Sequence, residues 1–206
     1  MKSLDMQSQR DFLKKTFLAD AKVFDQERGY LSTPSFNLRI SAAVLKNAAE
    51  LIASEFHTQN IHIVHGVPHS GNYIATAVAL ELGGEVKIHA SRKDQTVPAT
   101  WKEVMRKEVR SFTSSFGGMD MYAGLNFSFV RKGDRVLVVD DVCARGETGS
   151  VIIEGLQERG VIVEGFAVLY DKIWQGGLEK ISKLGIKTFS CVRVKSISKG
   201  DRIELV

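Results

Sequence analysis

Two adjacent carboxylates, Asp140 and Asp141, end an apolar run within RVLVVDDVCARGETG, residues 135–149. Small and polar residues follow them, and the chain then resumes with the spacing of a helix. Ligands of open α/β sheets bind beyond the carboxyl ends of the strands, where this acidic pair is expected to lie. Carboxylates accept hydrogen bonds from a vicinal diol such as that of ribose, and they favour positive charge that develops nearby. We therefore interpret Asp140 and Asp141 as candidate catalytic residues.

The loop after the acids has the properties of a phosphate-binding site. A helix N-terminus presents N–H groups without intrahelical partners and the positive end of the helix dipole. Gly146 lets the backbone turn inward, and Thr148 offers a capping hydroxyl. Together with the acids, this loop suits a ribose 5-phosphate, with carboxylates on the sugar and amides on the phosphate. The alternative is a pair of acids that only caps or solvates a helix start, and the order of strand, acids, glycine and hydroxyl favours the ligand site.

A second loop, in HGVPHSGNYIATAVALELGG, also lies between a predicted strand and a predicted helix. Its glycine spacing imitates a nucleotide-binding P-loop, but an asparagine and a tyrosine stand where that motif needs Lys and Ser or Thr. We therefore exclude a nucleoside triphosphatase. Ser70 and Gly71 offer backbone donors at a helix start, whereas His69 is either a pyrophosphate contact or a solvent-facing loop residue.

Two cations, Arg92 and Lys93, follow the next predicted strand. At a carboxyl end they can neutralise a pyrophosphate; the alternative is a pair of solvated surface cations. They open a long segment, residues 92–129, that is rich in Ser, Gly and aromatic residues. EVRSFT and MDMYAG within it can pair as an antiparallel hairpin that turns at Gly117 and Gly118. Such an insertion is either an active-site lid or a structural hairpin.

The elements that must position these residues alternate along the chain. Helices are predicted at residues 9–24, 40–57, 70–84, 148–160 and 177–185, and strands at 61–66, 85–91, 134–141, 161–172 and 186–194. This order predicts an α/β fold, a doubly wound and mostly parallel sheet with flanking helices. No internal repeat or linker is evident, so we expect a single domain over residues 1–206.

Composition narrows the classes of function. The chain has 206 residues, a hydrophobic content of 44% and a net charge of +4. These values exclude disordered and collagen-like proteins, and no cluster of Lys and Arg is dense enough to indicate nucleic acid. Cys143 and Cys191 form neither a disulfide framework nor a metal motif. The N-terminus lacks a signal-peptide core, and no apolar run has the length of a membrane span. A cytoplasmic protein without a nucleic-acid or membrane partner is predicted.

The acidic motif resembles the sugar-phosphate signature of the type I phosphoribosyltransferases. The segments LSTPSFNLRI, VRSFT, GFAVLYDKIWQGGLEKISKLG and VRVKSISKGDRIELV extend the resemblance over about residues 31–206, and they are similar to the bacterial xanthine enzymes of that family. Two residues depart from the signature. Glu147 stands where a small residue is usual, and we expect its side chain to point outward while its amide serves the ligand. Arg145 replaces a Thr or Asn and offers a charge-assisted contact.

The resemblance implies three groups of binding residues. Those for the sugar phosphate are Ala144, Arg145, Gly146, Glu147 and Thr148; those for pyrophosphate are His69, Ser70, Gly71, Arg92 and Lys93; those for a purine are Leu31, Asn37, Lys172 and Trp174. An ammonium such as that of Lys172 donates to a carbonyl oxygen of an oxopurine. The alternatives are an ordinary lysine at a strand end and, for Trp174, simple core packing.

The resemblance also implies a reaction. The 5-phosphoribosyl group of 5-phosphoribosyl 1-diphosphate (PRPP) passes to a 6-oxopurine, with xanthine as the first candidate, and pyrophosphate leaves. Mg²⁺ is expected as a cofactor held mainly by PRPP, with no direct protein ligand, and the enzyme is expected to be a homodimer. A small hood from about residues 1–40 and the C-terminal part, and a flexible lid at about 92–129, complete the expected fold.

Two alternatives to this function stay open at this point. The first is the same chemistry on hypoxanthine, guanine, adenine or orotate, although Lys172 favours a 6-oxo group over adenine. The second is a PRPP-sensing regulator without turnover, which would need a DNA-reading element. The residues before Leu31 offer one helix and no helix-turn-helix pair.

Overall fold

The computed structural model describes residues 6–91, 106–110, 122–126, 130–198 and 200–206. Its elements follow the predicted alternation of strands and helices. In chain order they are α1 Met6–Asp20, β1 Lys22–Asp25, β2 Tyr30–Ser32, α2 Pro34–Asn37, α3 Ala42–Phe56, β3 Ile63–Gly66, α4 Ser70–Leu82, β4 Lys87–Ala90, β5 Arg106–Arg110, β6 Tyr122–Asn126, β7 Arg135–Cys143, α5 Glu147–Glu158, β8 Ile162–Lys172, a 3₁₀ helix Ile173–Gln175, α6 Gly177–Ser182, β9 Thr188–Ser198 and β10 Arg202–Leu205.

A six-stranded sheet in the order β10–β9–β8–β7–β3–β4 forms the centre of the fold. Its strands are parallel except β10, which pairs antiparallel with β9. The run of apolar residues from Val136 to Val139 is buried on both faces of the sheet, as a central parallel strand requires. Helices α1, α3 and α4 contribute to one apolar core, and α5 and α6 to the other. The predicted α/β fold with a mostly parallel sheet is confirmed.

Aromatic packing joins the N-terminal segment to the sheet. The ring of Phe17 in α1 lies 5.2 Å from that of Phe36 in α2 and 5.1 Å from that of Tyr170 in β8, measured between centroids. All three side chains are buried. Because this cluster lies beside the carboxyl end of β8, it fixes the segment from α1 to α2 against the sheet near the acids.

Two element predictions were wrong at their ends. The helix predicted for residues 9–24 stops at Asp20, because Lys22–Asp25 pairs antiparallel with Tyr30–Ser32 in a hairpin. The strand predicted for residues 186–194 extends to Ser198 and is followed by β10, so it is not the final strand. Both missed pieces are short edge hairpins with exposed polar residues, which give a weak hydrophobic pattern.

The long insertion contains the expected pair of strands. β5 and β6 are antiparallel, with Arg106 opposite Asn126 and Arg110 opposite Tyr122. The turn predicted at Gly117 and Gly118 lies outside the described residues. The function of this segment as a lid stays a prediction.

Two expectations about cysteines and membranes can also be compared with the structure. Cys143 and Cys191 are both buried free thiols. Across the part of the chain that the structure describes, no helix combines the length and the apolar character that crossing a membrane requires.

Candidate active site

The two acids lie where β7 extends beyond its neighbour β3. The β3–β7 pairing reaches Gly66 and Val139, whereas β7 continues beside β8 as far as Cys143. The sequence analysis predicted that this strand ends at the acids, whereas in the structure it runs past them. The backbone N–H of Asp141 donates to Oδ1 of Asp140 over 2.8 Å. This contact helps to fix the Asp140 carboxylate beyond the end of β3.

Asp141 shares its surroundings with residues of three other segments. Burial raises the pKa of Asp141 above its ordinary value, and hydrogen bonds from the Asp140 and Asn37 side chains and from the backbone oppose the rise. Burial also raises the pKa of Tyr170, and the charge of Asp141 adds to that effect. The charge of Asp141 raises the pKa of Lys172, which opposes the lowering caused by burial. Asn37, Asp141, Tyr170 and Lys172 thus form one electrostatic neighbourhood.

The phosphate loop, residues 144–148, is held by contacts that only glycine permits. Gly146 begins α5 with a left-handed φ of 71°, and a Cβ built on it would lie 2.7 Å from the carbonyl oxygen of Gly177. A Cβ on Gly177 would lie 2.6 Å from the Gly146 nitrogen. The Gly177 N–H also donates to the carbonyl of Ala144 over 3.0 Å. The start of α6 is therefore a rigid support for the phosphate loop. The sequence analysis did not predict this support, although the paired glycines at 176–177 were a signal for it.

Exposure separates the side chains of this loop. Arg145 and Glu147 are exposed, whereas Ala144 and Thr148 are partly buried and Gly146 is buried. Glu147 is the first residue of α5 and the acidic residue of its first turn. Its exposed side chain is compatible with the expectation that it points outward while its backbone N–H lies at the helix start.

The second loop, residues 67–71, lies directly against the acidic strand. The Val67 N–H donates to the carbonyl of Val139 over 2.9 Å, and a Cβ on Gly71 would lie only 2.6 Å from the same oxygen. The Ser70 hydroxyl donates to the carbonyl of Asn37 over 3.0 Å. His69 is exposed, and its peptide bond with Pro68 is cis. The N-terminus of α4 and the acids therefore occupy one corner of the sheet.

The chain that leads to Arg92 and Lys93 is anchored at the same corner. The Ser91 hydroxyl donates to the carbonyl of Gly66 over 2.6 Å, and Asn72 Nδ2 donates to the Ser91 carbonyl over 3.0 Å. Arg92 and Lys93 themselves lie outside the described residues. The sequence analysis considered Asn72 only as a departure from the P-loop motif. It did not predict that this side chain holds the ends of β3 and β4 together.

The predicted purine-binding residues come from two parts of the chain that meet. Lys172 is 4% exposed, and its Nζ donates to the carbonyl of Gly29 over 2.8 Å. Burial lowers the pKa of Lys172 to about 8. The Trp174 ring is 39% exposed and lies beside Gly29 in the β1–β2 turn. Leu31 is buried in the apolar core that contains α1, α3 and α4, so its side chain is placed for packing.

The chemistry of the two acids is compatible with a divalent cation that a substrate brings. Among the described residues, no group of three or more His, Cys, Asp or Glu side chains could hold a metal ion. Asp140 and Asp141 nevertheless supply the carboxylate oxygens that Mg²⁺ accepts. This ion commonly binds through one or two carboxylates together with substrate phosphates and retained waters.

Comparison with known proteins agrees with this geometry. The family described as "Phosphoribosyl transferase domain" matches residues 37–203. The xanthine phosphoribosyltransferase of Streptococcus uberis is 26% identical over 189 residues, 91% of this chain and 94% of that protein. That of Geobacillus thermodenitrificans is 27% identical over 192 residues, 93% and 94% of the two chains.

Solved structures show a similar fold. Adenine phosphoribosyltransferase from Rhodothermus marinus has a TM-score of 0.70 at 18% identity, covering 91% of this chain and 99% of that one. The enzyme from Giardia lamblia, complexed with 9-deazaadenine, has a TM-score of 0.69 at 22% identity, covering 88% and 97%. At these identities the likeness concerns the fold alone.

The contact between the two glycine loops can be tested with Gly177→Ala. The added methyl group would overlap the backbone of residues 144–146, so we expect the phosphate loop to move and the affinity for ribose 5-phosphate to fall by about tenfold or more. Titration calorimetry measures this affinity. Gly176→Ala is the control for backbone strain, because Gly176 has a positive φ of 72° that strains an alanine, whereas nothing lies within 4 Å of its Cβ position. Equal affinities in the two variants would contradict the support role.

Proposed function

The chain belongs to the phosphoribosyltransferase family, and we propose that it transfers the 5-phosphoribosyl group of PRPP to a 6-oxopurine, with xanthine as the first candidate. As a family member it is a glycosyltransferase-type enzyme. The observation that carries the proposal is the corner shared by Asp140, Asp141 and the N-termini of α4 and α5. Acceptors for ribose hydroxyls lie there between two helix starts suited to anions.

Each part of PRPP has a matching feature in this corner. The 5-phosphate binds at residues 144–148, where the N–H groups of the first turn of α5 have no intrahelical acceptors. The ribose hydroxyls donate to Asp140 and Asp141. The diphosphate lies at Ser70 and Gly71, with His69 at its side, and Arg92 and Lys93 neutralise its charge. Opposite ends of one substrate are thus held by different helix starts, with the reacting carbon between them.

The two acids stabilise the sugar as the bond from C1 to pyrophosphate lengthens. Positive charge then develops on the ribose ring, and carboxylates fixed at the strand end lie beside it. The Asp140 carboxylate is held by the Asp141 N–H, so it needs little reorganisation during the reaction. No residue is required as a covalent nucleophile, because the purine nitrogen attacks C1 directly. Mg²⁺, bound through PRPP with help from the acids, would neutralise charge on the departing pyrophosphate.

Lys172 gives the purine site its preference for an oxygen. Its buried ammonium already donates to one carbonyl, that of Gly29, over 2.8 Å. A 6-oxo group presents the same kind of acceptor, whereas the 6-amino group of adenine presents donors. Trp174 contributes an aromatic face beside it, and Asn37 carries both a donor and an acceptor for the base edge. Leu31 supports this wall from the core.

Several further features belong to the same proposal. Residues 1–40 with the C-terminal part act as a hood over the base, and residues 92–129 act as a lid that keeps water from the activated sugar. The enzyme works in purine salvage as a cytoplasmic homodimer. These statements rest on the family resemblance and on the packing of α1 and α2 against β8.

The main alternative is the same reaction on another base. The relatives with the matching sequences are named for xanthine, and the similar solved structures are named for adenine. To distinguish the candidate bases, the protein is incubated with PRPP, Mg²⁺ and xanthine, hypoxanthine, guanine or adenine in turn. The nucleotide formed is then identified by mass. We expect the highest kcat/KM with xanthine. A preference for adenine would overturn the role of Lys172, and the absence of pyrophosphate release with every base would favour the regulator.

The role of the acids is tested by Asp141→Asn. An amide keeps the size of the side chain but removes its negative charge, so we expect kcat to fall by about a hundredfold or more while the melting temperature changes little. Glu154→Gln is the control, because Glu154 is an exposed acid on α5, outside the site. Turnover of Asp141→Asn close to that of the control would refute the assignment.

The role of Lys172 is tested by the pH dependence of KM for the base. Because its pKa is lowered to about 8, the ammonium is lost as pH rises through that value, and KM should increase. In Lys172→Arg the guanidinium stays protonated throughout, so the increase at pH 8 should disappear. Ionisation of the base affects both enzymes equally. Lys172→Ala should raise KM for the base at every pH and leave KM for PRPP nearly unchanged; equal effects on both would place Lys172 outside the base site.

A further inference from the structure

A groove of about 500 Å³ lies between α6 and the ends of β8 and β9. Its walls include Arg10, Asp171, Ile173, Leu178, Phe189 and Arg193. No residue assigned above to the ribose, the phosphates or the base is among its lining residues. The groove is therefore separate from the proposed active site, although it shares strand β8 with it.

Asp171 is a buried acid whose interactions are incomplete. It is 3% exposed, and its Oδ1 atom is buried without a hydrogen-bond partner in the described part of the chain. Burial raises the pKa of Asp171 to about 6, and the charge of Arg193 opposes the rise. A buried carboxylate oxygen without a donor is destabilising, because it has lost its water without gaining a hydrogen bond. Such an atom on a groove wall indicates a place for a donor supplied by a ligand.

Two guanidinium groups supply positive charge in the same groove. Arg10 reaches from α1, and its Nη1 donates to the carbonyls of Ser190 and Cys191 over 3.3 and 3.4 Å. Its guanidinium also lies 5.1 Å from the centroid of the Phe189 ring. These contacts fix the group, and a guanidinium with five N–H donors has others left for an anion.

The two arginines lie at different points along β9. Arg193 lies opposite Asp171 in the β8–β9 register. Arg10 is attached three residues earlier on β9, at Ser190, which corresponds to about 10 Å along a strand. The apolar side chains of Ile173 and Leu178 line the groove as well. A ligand here meets the Asp171 acceptor beside Arg193 at one end and the Arg10 cation at the other, and Glu179 and Ser182 also line the groove.

We propose that this groove is a second binding site, for a 6-oxopurine nucleoside 5′-monophosphate. The N1–H edge of the base donates to Asp171, and the phosphate binds the guanidinium group of Arg10. Adenine offers an acceptor at N1, so its nucleotide pairs poorly with a carboxylate. The choice of ligand rests on the proposed function, because the product of that reaction is a nucleotide of this class.

Calorimetry with guanosine 5′-monophosphate tests the proposal on the full chain. Saturating ribose 5-phosphate is present so that the phosphate loop at 144–148 is filled. We expect one remaining site per chain, with adenosine 5′-monophosphate binding there at least about tenfold more weakly. Asp171→Asn should weaken the remaining site by about tenfold or more. Absence of a remaining site, as when Asp171 simply pairs with Arg193 and closes the groove, would overturn the proposal.

Leu178→Arg separates loss of the site from loss of the fold. The new guanidinium can fill the groove and donate to Asp171, so we expect the nucleotide to stop binding while the melting temperature stays at or above that of the unmodified chain. Nucleotide binding that survives both substitutions would place the ligand elsewhere. The outcome is independent of the assay for nucleotide formation, so failure of the proposed function and failure of the second site are distinguishable.

Discussion

The active-site corner depends on how closely three stretches of backbone approach one another. Gly71 lies against the Val139 carbonyl, and Gly146 and Gly177 lie against each other, at separations that exclude a side chain. These approaches bring the N-termini of α4 and α5 to the end of the strand that carries Asp140 and Asp141. Helix dipoles and unpaired N–H groups act over short distances, so this placement decides whether one ligand can meet both. Backbone packing therefore sets where the two helix N-termini lie relative to the acids.

Burial gives the side chains around this corner their properties. Asp141 and Lys172 are both moved away from their ordinary pKa values by loss of water, and the charge of Asp141 partly offsets the effect on Lys172. Asn37 contributes its carbonyl to Ser70 and its side chain to Asp141. The N-terminal segment is consequently part of the site, held there by the Phe17, Phe36 and Tyr170 rings.

Much of the fold was predictable because its central strands and helices have strong patterns. The apolar run before Asp140 identified β7, and the helix starts predicted at Ser70 and near Thr148 lie within a residue of those in the structure. The hairpins β1–β2 and β9–β10 were not predicted in full, because edge strands alternate exposed polar residues with few apolar ones. The supporting roles of Gly177, Gly29 and Asn72 depend on contacts between distant segments. A single sequence does not show such contacts. It also does not show that one oxygen of Asp171 lacks a hydrogen-bond partner.

The central claim is that one pentose phosphate spans the acids and the start of α5. A crystal structure of the chain with ribose 5-phosphate tests it most directly. The account predicts the phosphate within hydrogen-bond distance of backbone N–H groups in residues 144–148 and ribose hydroxyls donating to Asp140 and Asp141. A sugar bound away from these residues, or a phosphate loop left empty at saturating ligand, would contradict it.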